Sequence, residues 1–171
     1  MKTVFAALAL LSAGVVLPLF GQGDEEDNRK TLAGLHGIWV VVEDLNQQAQ
    51  QDGLDENQIH TDVELKLRQA GITVLTKEEW SATHPAGLPY LYVNVQAFKQ
   101  REGLYAFNVI VELDQSVRLV RNPSVRASVA TWRATPVLGT TGERDLGSVR
   151  ERVRDLTDQF INAYLAANPK R

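Results

Sequence analysis

Cysteine is absent from all 171 positions of this sequence. Its absence excludes structural disulfides, thiolate metal sites and the lipid-attachment cysteine of a bacterial lipoprotein. Histidine is scarce, and His36, His60 and His84 form neither an H-x-x-x-H nor an H-E-x-x-H pattern, so the sequence contains no local zinc motif. We therefore predict no bound metal and no cofactor. The lack of cysteine also suits a bacterial periplasm or the cell exterior.

The usual catalytic motifs are missing as well. There is no G-x-S-x-G nucleophile elbow, and Gly139-Thr140-Thr141-Gly142 lacks the lysine of a phosphate-binding loop. No catalytic residue is predicted, although a hydrolase site built from scattered Asp, Glu and His residues stays open as an alternative. The net charge of −3 gives no support to nucleic-acid binding.

The amino terminus has the order of a secretory signal peptide. Met1-Lys2 precedes an apolar run from Thr3 to Phe20, small residues follow, and acidic residues begin at Asp24. We predict a signal peptide over 1–23, a flexible lead-in over 24–34 and a single α+β domain over 35–169. A periplasmic or extracellular location follows, with no membrane span after cleavage. The alternative is a retained anchor, because about 18 apolar residues approach the length that spans a bilayer.

Alternating apolar residues predict three consecutive antiparallel strands between Tyr90 and Ala134. The odd positions of 90–98 and 105–113 are apolar and fall on one face if Val95 lies opposite Phe107. A turn at 122–124 then places the third strand so that Trp132 lies roughly opposite Asp114.

Further elements precede and follow these strands. The run 38–42 predicts a strand buried on both faces, and Asp55 can cap a helix that runs to Ala70 and ends at Gly71. A strand at 72–75 and a final helix beginning with a Ser148–Glu151 capping box complete the set. Segments 46–52, 76–89 and 136–147 are predicted to be loops. The order β-α-β-β-β-β-α predicts an α+β fold, a five-stranded mixed sheet with two helices packed on one face.

This element order, the secretion signal and the segment Leu67-Arg68-Gln69-Ala70-Gly71-Ile72 resemble the amino-terminal domain of the periplasmic translocation protein TolB. They are also similar to small envelope-assembly domains such as the lipopolysaccharide-transport lipoprotein LptE. The resemblance implies a non-catalytic role in the envelope, and it transfers no functional residue to this chain.

If the helices cover the odd face, the even face of the sheet is open. Tyrosine, tryptophan and arginine are favoured at interface centres, so this face predicts a binding surface, with an ordinary solvated face as the alternative. The predicted binding residues are Tyr90, Tyr92, Asn94, Asn108, Arg118, Arg126 and Trp132. We predict a secreted, non-enzymatic binding or envelope-assembly module whose partner is a protein or an envelope component. A structural subunit that oligomerises through strand 72–75 or 125–134 is a further alternative.

Overall fold

The computed structural model describes residues 26–83 and 87–169. The predicted signal peptide and His84 lie outside the described residues. The helices are α1 (Glu26–Lys30), α2 (Gln47–Gln51), α3 (Glu56–Gln69), α4 (Lys77–Thr83) and α5 (Gly147–Ala167). The strands are β1 (Ile38–Val42), β2 (Val74–Leu75), β3 (Tyr90–Lys99), β4 (Leu104–Leu119), β5 (Asn122–Arg133) and β6 (Val137–Gly142). Two short 3₁₀ turns, Arg101–Gly103 and Glu143–Asp145, precede β4 and α5.

One mixed sheet organises these elements, which confirms the α+β class. Its strand order is β2-β1-β3-β4-β5, with β6 pairing the first part of β4. Strand β1 is parallel to its neighbours β2 and β3. Strand β4 is antiparallel to its neighbours β3, β5 and β6. Because β2 and β5 lie at sheet edges, both strands that we considered for oligomerisation occupy edge positions.

Over residues 26–83 and 87–169 the sheet has six strands, where the sequence predicted five. Residues 137–142, expected to be a loop, form β6 because Gly139 lies opposite Phe107 and leaves room for its ring. A Cβ at Gly139 would lie only 2.6 Å from Phe107 Cζ. The glycine that suggested a loop is therefore the residue that lets this strand approach the core.

Helices α3 and α5 cover one face of the sheet, as predicted. The odd positions of β3 and the first part of β4 supply the sheet side of the core, and all are buried: Leu91, Val93, Val95, Ala97, Tyr105, Phe107, Val109, Val111 and Leu113. The helices contribute Ile59, Val63, Leu67, Val149, Val153, Leu156 and Phe160. The cap of α3 is also confirmed, since Asp55 Oδ1 accepts hydrogen bonds from the backbone N–H groups of Asn57 (2.8 Å) and Gln58 (3.2 Å).

The two hairpins pair differently from the prediction. The loop of the first still has five residues, 100–104, whereas the turn of the second has two residues rather than three. Val95 lies opposite Val109 rather than Phe107, and a two-residue turn at Val120-Arg121 joins β4 to β5. A register shift of two residues keeps every side chain on its face, so the assignment of faces in β3 and β4 still holds. Pro123 is not in the turn but in β5, which tolerates it because this is an edge strand.

Besides that for 136–147, five local predictions are wrong, each because tertiary contacts or caps outweigh the local signal. The described part of the predicted lead-in, 26–34, is not a free segment, since it contains α1 and the fully buried Leu32. Segment 46–52 contains α2, whose first turn is capped by Asn46 Oδ1. The capping box is absent, because Ser148 lies within α5 and its hydroxyl donates to the Asp145 carbonyl (2.7 Å).

The fourth wrong prediction concerns β1, which is buried on one face only. Ile38 and Val40 are in the core, whereas Trp39 and Val41 are half-buried on the opposite side. The fifth is the loop predicted at 76–89, because α4 lies within it and contacts β1 and β2 on that side. None of the helices within 26–83 and 87–169 is long and apolar enough to cross a membrane.

Candidate functional site

The face of the sheet opposite α3 and α5 carries the even-numbered side chains of β3 and β4, and we call it the open face. Tyr90, Tyr92, Asn94 and Asn108 all lie on it and are half-buried. Tyr90 and Phe98 mark the two ends of β3 on this face. At about 3.3 Å per residue they are roughly 26 Å apart, so the face is long enough to receive an extended polypeptide.

Three aromatic rings meet at one end of the open face, and we call this cluster the aromatic corner. The Trp39 ring centroid lies 5.3 Å from that of Trp80 and 6.3 Å from that of Tyr90. Trp80 and Tyr90 meet edge to face at 6.5 Å, and Trp80 Nε1 donates to the Pro89 carbonyl (2.9 Å). These contacts fix the rings in place, so the corner presents a rigid aromatic surface.

The aromatic corner was missed from the sequence because its members come from three separate segments. Trp39 was assigned to a strand buried on both faces, and Trp80 to an irregular segment. Lys77 Nζ lies 5.9 Å from the centre of the Trp39 ring, which adds a cation to the same corner. The run 38–42 is apolar throughout, so its pattern did not indicate that Trp39 faces away from the core.

A directional chain of hydrogen bonds occupies the middle of the open face. Asn94 Nδ2 donates to Tyr92 Oη (3.0 Å), and Tyr92 Oη donates to Glu43 Oε2 (2.8 Å). Burial and the nearby Glu43 carboxylate raise the pKa of Tyr92 and outweigh the hydrogen bond from Asn94, so the hydroxyl stays a neutral donor. Asn94 Oδ1 is buried without a hydrogen-bond partner among the described residues, a state that costs folding stability.

The other end of the open face is apolar and exposed, and we call it the apolar end. Phe98 is 52% exposed, Leu104 48% and Leu138 76%. Leu138 lies on β6 opposite Asn108, which joins the apolar end to the polar centre. This cluster depends on β6, so it could not be predicted while 136–147 was taken as a loop.

Trp132 does not belong to the open face, and its prediction as a binding residue is wrong. Leu113 pairs with Trp132 but Asp114 pairs with Ala130, so Thr131 is an extra residue in β5. This β-bulge turns Trp132 toward the core, where it is 1% exposed and packs edge to face on Phe160 at 5.3 Å. Gln115 Nε2 donates to Thr131 Oγ1 (2.7 Å) and supports the bulge.

Arg118 and Arg126 lie apart from the tyrosines and amides. Strand β3 pairs with β4 as far as Asp114, and the Ser116 backbone N–H still donates to the Gly87 carbonyl (2.6 Å). Beyond Ser116, β4 and β5 form a two-stranded ribbon. We call residues 115–129 the hairpin arm. Arg118 and Arg126 lie opposite each other on it, about 13 Å beyond Asp114 along the strand. The structure therefore divides the predicted site into two surfaces and one core residue.

A second polar cluster joins α2 to the end of the sheet. Tyr105 Oη donates to Asp52 Oδ2 (2.6 Å), and Lys99 Nζ lies 2.8 Å from both Asp52 Oδ2 and Glu143 Oε2. Burial and the bond to Asp52 raise the pKa of Tyr105 to about 12, while hydrogen bonds from Lys99 and Tyr105 lower the pKa of Asp52. Because Tyr105 is fully buried, this cluster is a structural link rather than a substrate site.

The remaining predicted positions contribute no assembled chemistry. His36 is an exposed loop residue, as expected, and His60 lies on a partly exposed side of α3 with Nε2 3.9 Å from Glu64 Oε1. Within the part of the chain that the structure describes, no three His, Asp or Glu side chains converge as metal ligands. No known protein-family model and no curated protein matches the sequence. The open face is therefore interpreted from its own geometry.

Proposed function

We propose that this protein is a secreted, non-enzymatic binding module that holds a polypeptide partner of the bacterial envelope against its open face. The observation that supports the proposal is the composition of that face, which combines the aromatic corner, the hydrogen-bond chain and the apolar end. The resemblance to TolB and LptE-like domains points to the same kind of role. The signal-peptide pattern of 1–23 supports a location outside the cytoplasm for this role.

The chemistry of the open face indicates what the partner presents. Phe98 and Leu138 are exposed and offer apolar contacts at one end. Glu43 is also exposed, and its carboxylate accepts a hydrogen bond from Tyr92, so its remaining lone pairs favour an external donor. A partner segment with an apolar side chain and a basic residue would contact both the apolar end and the Glu43 carboxylate. Because the central donors and acceptors are already held in place, binding costs little ordering of this surface.

The size of the open face predicts a weak, transient complex. Its length is about 26 Å. Strands β1, β3, β4 and β6 lie side by side at roughly 4.8 Å spacing and give a width of about 15 Å. The projected area of about 400 Å² is below the roughly 800 Å² per partner of a standard interface. We therefore expect micromolar rather than nanomolar affinity.

Capture from an envelope extract tests the proposal. The bait is the mature protein, compared with a double variant, Tyr92→Ala with Phe98→Asp, and with the control Leu65→Asp. Leu65 is 51% exposed on α3, which matches the exposure of Phe98 but lies on the helical side. We expect one partner to be retained by the wild type and the control and lost by the double variant. Equal retention by all three would remove the open face from the proposal.

The predicted secretion has a separate test. Amino-terminal sequencing of protein purified from its source cells is expected to begin at or near Asp24. A chain that retains Met1 and fractionates with membranes would instead support the anchor alternative.

A further inference from the structure

We propose that the hairpin arm docks this protein onto an anionic phospholipid surface, with Val120 entering the lipid and arginines contacting the headgroup phosphates. This inference goes beyond the binding function of the open face and does not depend on it. It rests on the charge, exposure and pairing of the side chains in residues 115–129.

The arm is a local positive region on a negatively charged protein. The whole chain has a net charge of −3, yet the sequence from 115 to 142 contains no acidic residue. The arm itself carries Arg118, Arg121 and Arg126, and all three are exposed. None of them forms an ion pair with a described residue; Arg118 Nη1 donates only to the Pro123 carbonyl (3.3 Å). Their guanidinium groups therefore keep most of their donors available for an anion.

The pairing of two of these arginines favours an anionic ligand. Arg118 and Arg126 are directly opposite each other on neighbouring strands. Like charges in such a cross-strand pair repel and reduce stability. The next pair on the same side of the ribbon is Ser116 with Ser128. Ser128 Oγ lies 3.5 Å from Tyr90 Oη and shares a hydrogen bond with it, so Ser116 supplies the additional neutral donor. Phosphate oxygens bound between these side chains would remove the repulsion and satisfy the donors.

The apolar side chains of the arm favour a lipid surface over a soluble polyanion. Val120 is 99% exposed at the tip of the turn, and it stands directly beside Arg121. Val125 and Val129 are 42% and 39% exposed on the opposite side of the ribbon from Arg118 and Arg126. A soluble polyphosphate offers nothing to these groups. A bilayer has phosphates at its surface and hydrocarbon below them. The tip of the arm, Val120, can therefore enter the hydrocarbon while the arginines contact the phosphates.

Vesicle flotation with the whole mature protein tests this docking. Vesicles in which roughly a third of the lipid is phosphatidylglycerol are compared with vesicles of phosphatidylcholine alone. We expect binding to the anionic vesicles that weakens as salt is raised. The triple variant Arg118→Gln, Arg121→Gln, Arg126→Gln is expected to lose roughly 100-fold in partitioning. Val120→Gln keeps the charge and is expected to lose roughly 10-fold.

A matched control separates the arm from net charge. The triple variant Arg68→Gln, Arg152→Gln, Arg154→Gln removes the same charge from exposed helical positions and is expected to bind like the wild type.

A folding control is the thermal midpoint of Arg126→Gln, which should rise by about 1–2 °C because the cross-strand repulsion is gone. Equal losses in both triple variants would overturn the proposal. Retention on soluble polyphosphate without vesicle binding, or equal binding to neutral vesicles, would overturn it too.

Discussion

Replacing Trp132 by alanine distinguishes a core position from an open-face position. Trp132 is 1% exposed and contacts the ring of Phe160, so the substitution removes a large, fully packed side chain. Such truncations cost about 3–5 kcal/mol of unfolding free energy. With a urea dependence of about 2 kcal/mol per molar, the unfolding midpoint is expected to fall by about 2 M.

The assay is equilibrium urea unfolding followed by far-ultraviolet circular dichroism, which does not depend on tryptophan emission. Two variants calibrate it. Trp132→Phe keeps an aromatic ring and should cost less than the alanine variant, whereas Phe98→Ala on the open face should change stability by less than about 1 kcal/mol. If Trp132→Ala shifted the midpoint no more than Phe98→Ala, the bulge at Thr131 and the core position of the indole would both be wrong.

Three other substitutions probe separate parts of the account by the same unfolding measurement. Gly139→Ala should lower the unfolding free energy by about 1–3 kcal/mol, because its Cβ would lie 2.6 Å from a core ring. Gly142→Ala is the control and should be nearly neutral, because no atom lies within 4 Å of its Cβ. Equal effects would contradict the close packing of β6. Because the pKa of Tyr105 is raised to about 12, the stability that its protonated hydroxyl contributes is complete below pH 10 and is lost as the pH rises toward 12. Tyr105→Phe should therefore flatten the fall in unfolding free energy at alkaline pH. An unchanged fall would argue against the buried hydroxyl. Asn94→Val should change the unfolding free energy by less than about 1 kcal/mol, because it removes a buried acceptor without a partner but also the hydrogen bond from Asn94 Nδ2 to Tyr92 Oη. A loss above about 2 kcal/mol would contradict this balance.

The faces of the sheet were predictable from the sequence because alternation depends only on parity. Val95 and Val109 were assigned to the core although their pairing was wrong by two residues, since such a shift leaves both side chains on the same face. The register itself is set by the closing geometry of each turn. The apolar spacing does not encode that geometry.

The candidate site was predicted less well because it depends on features without a local signal. One extra residue, Thr131, reverses the direction of Trp132, and nothing in its neighbours marks a bulge. The aromatic corner needs β1, β3 and α4 in their final positions, and the apolar end needs β6. The separation of Arg118 and Arg126 from Tyr92 follows from the length of β4 relative to β3, which an alternating pattern does not define.

Photo-crosslinking from the open face shows whether this surface contacts a partner in the cell. A benzophenone amino acid is placed at Phe98, or at Leu65 as a control of matched exposure, and the protein is irradiated in its source cells. We predict one discrete adduct with another envelope polypeptide from position 98 and none from position 65. An adduct with a second copy of this chain would favour the oligomerising subunit. The same adduct from both positions, or none from position 98, would contradict a binding role for the open face.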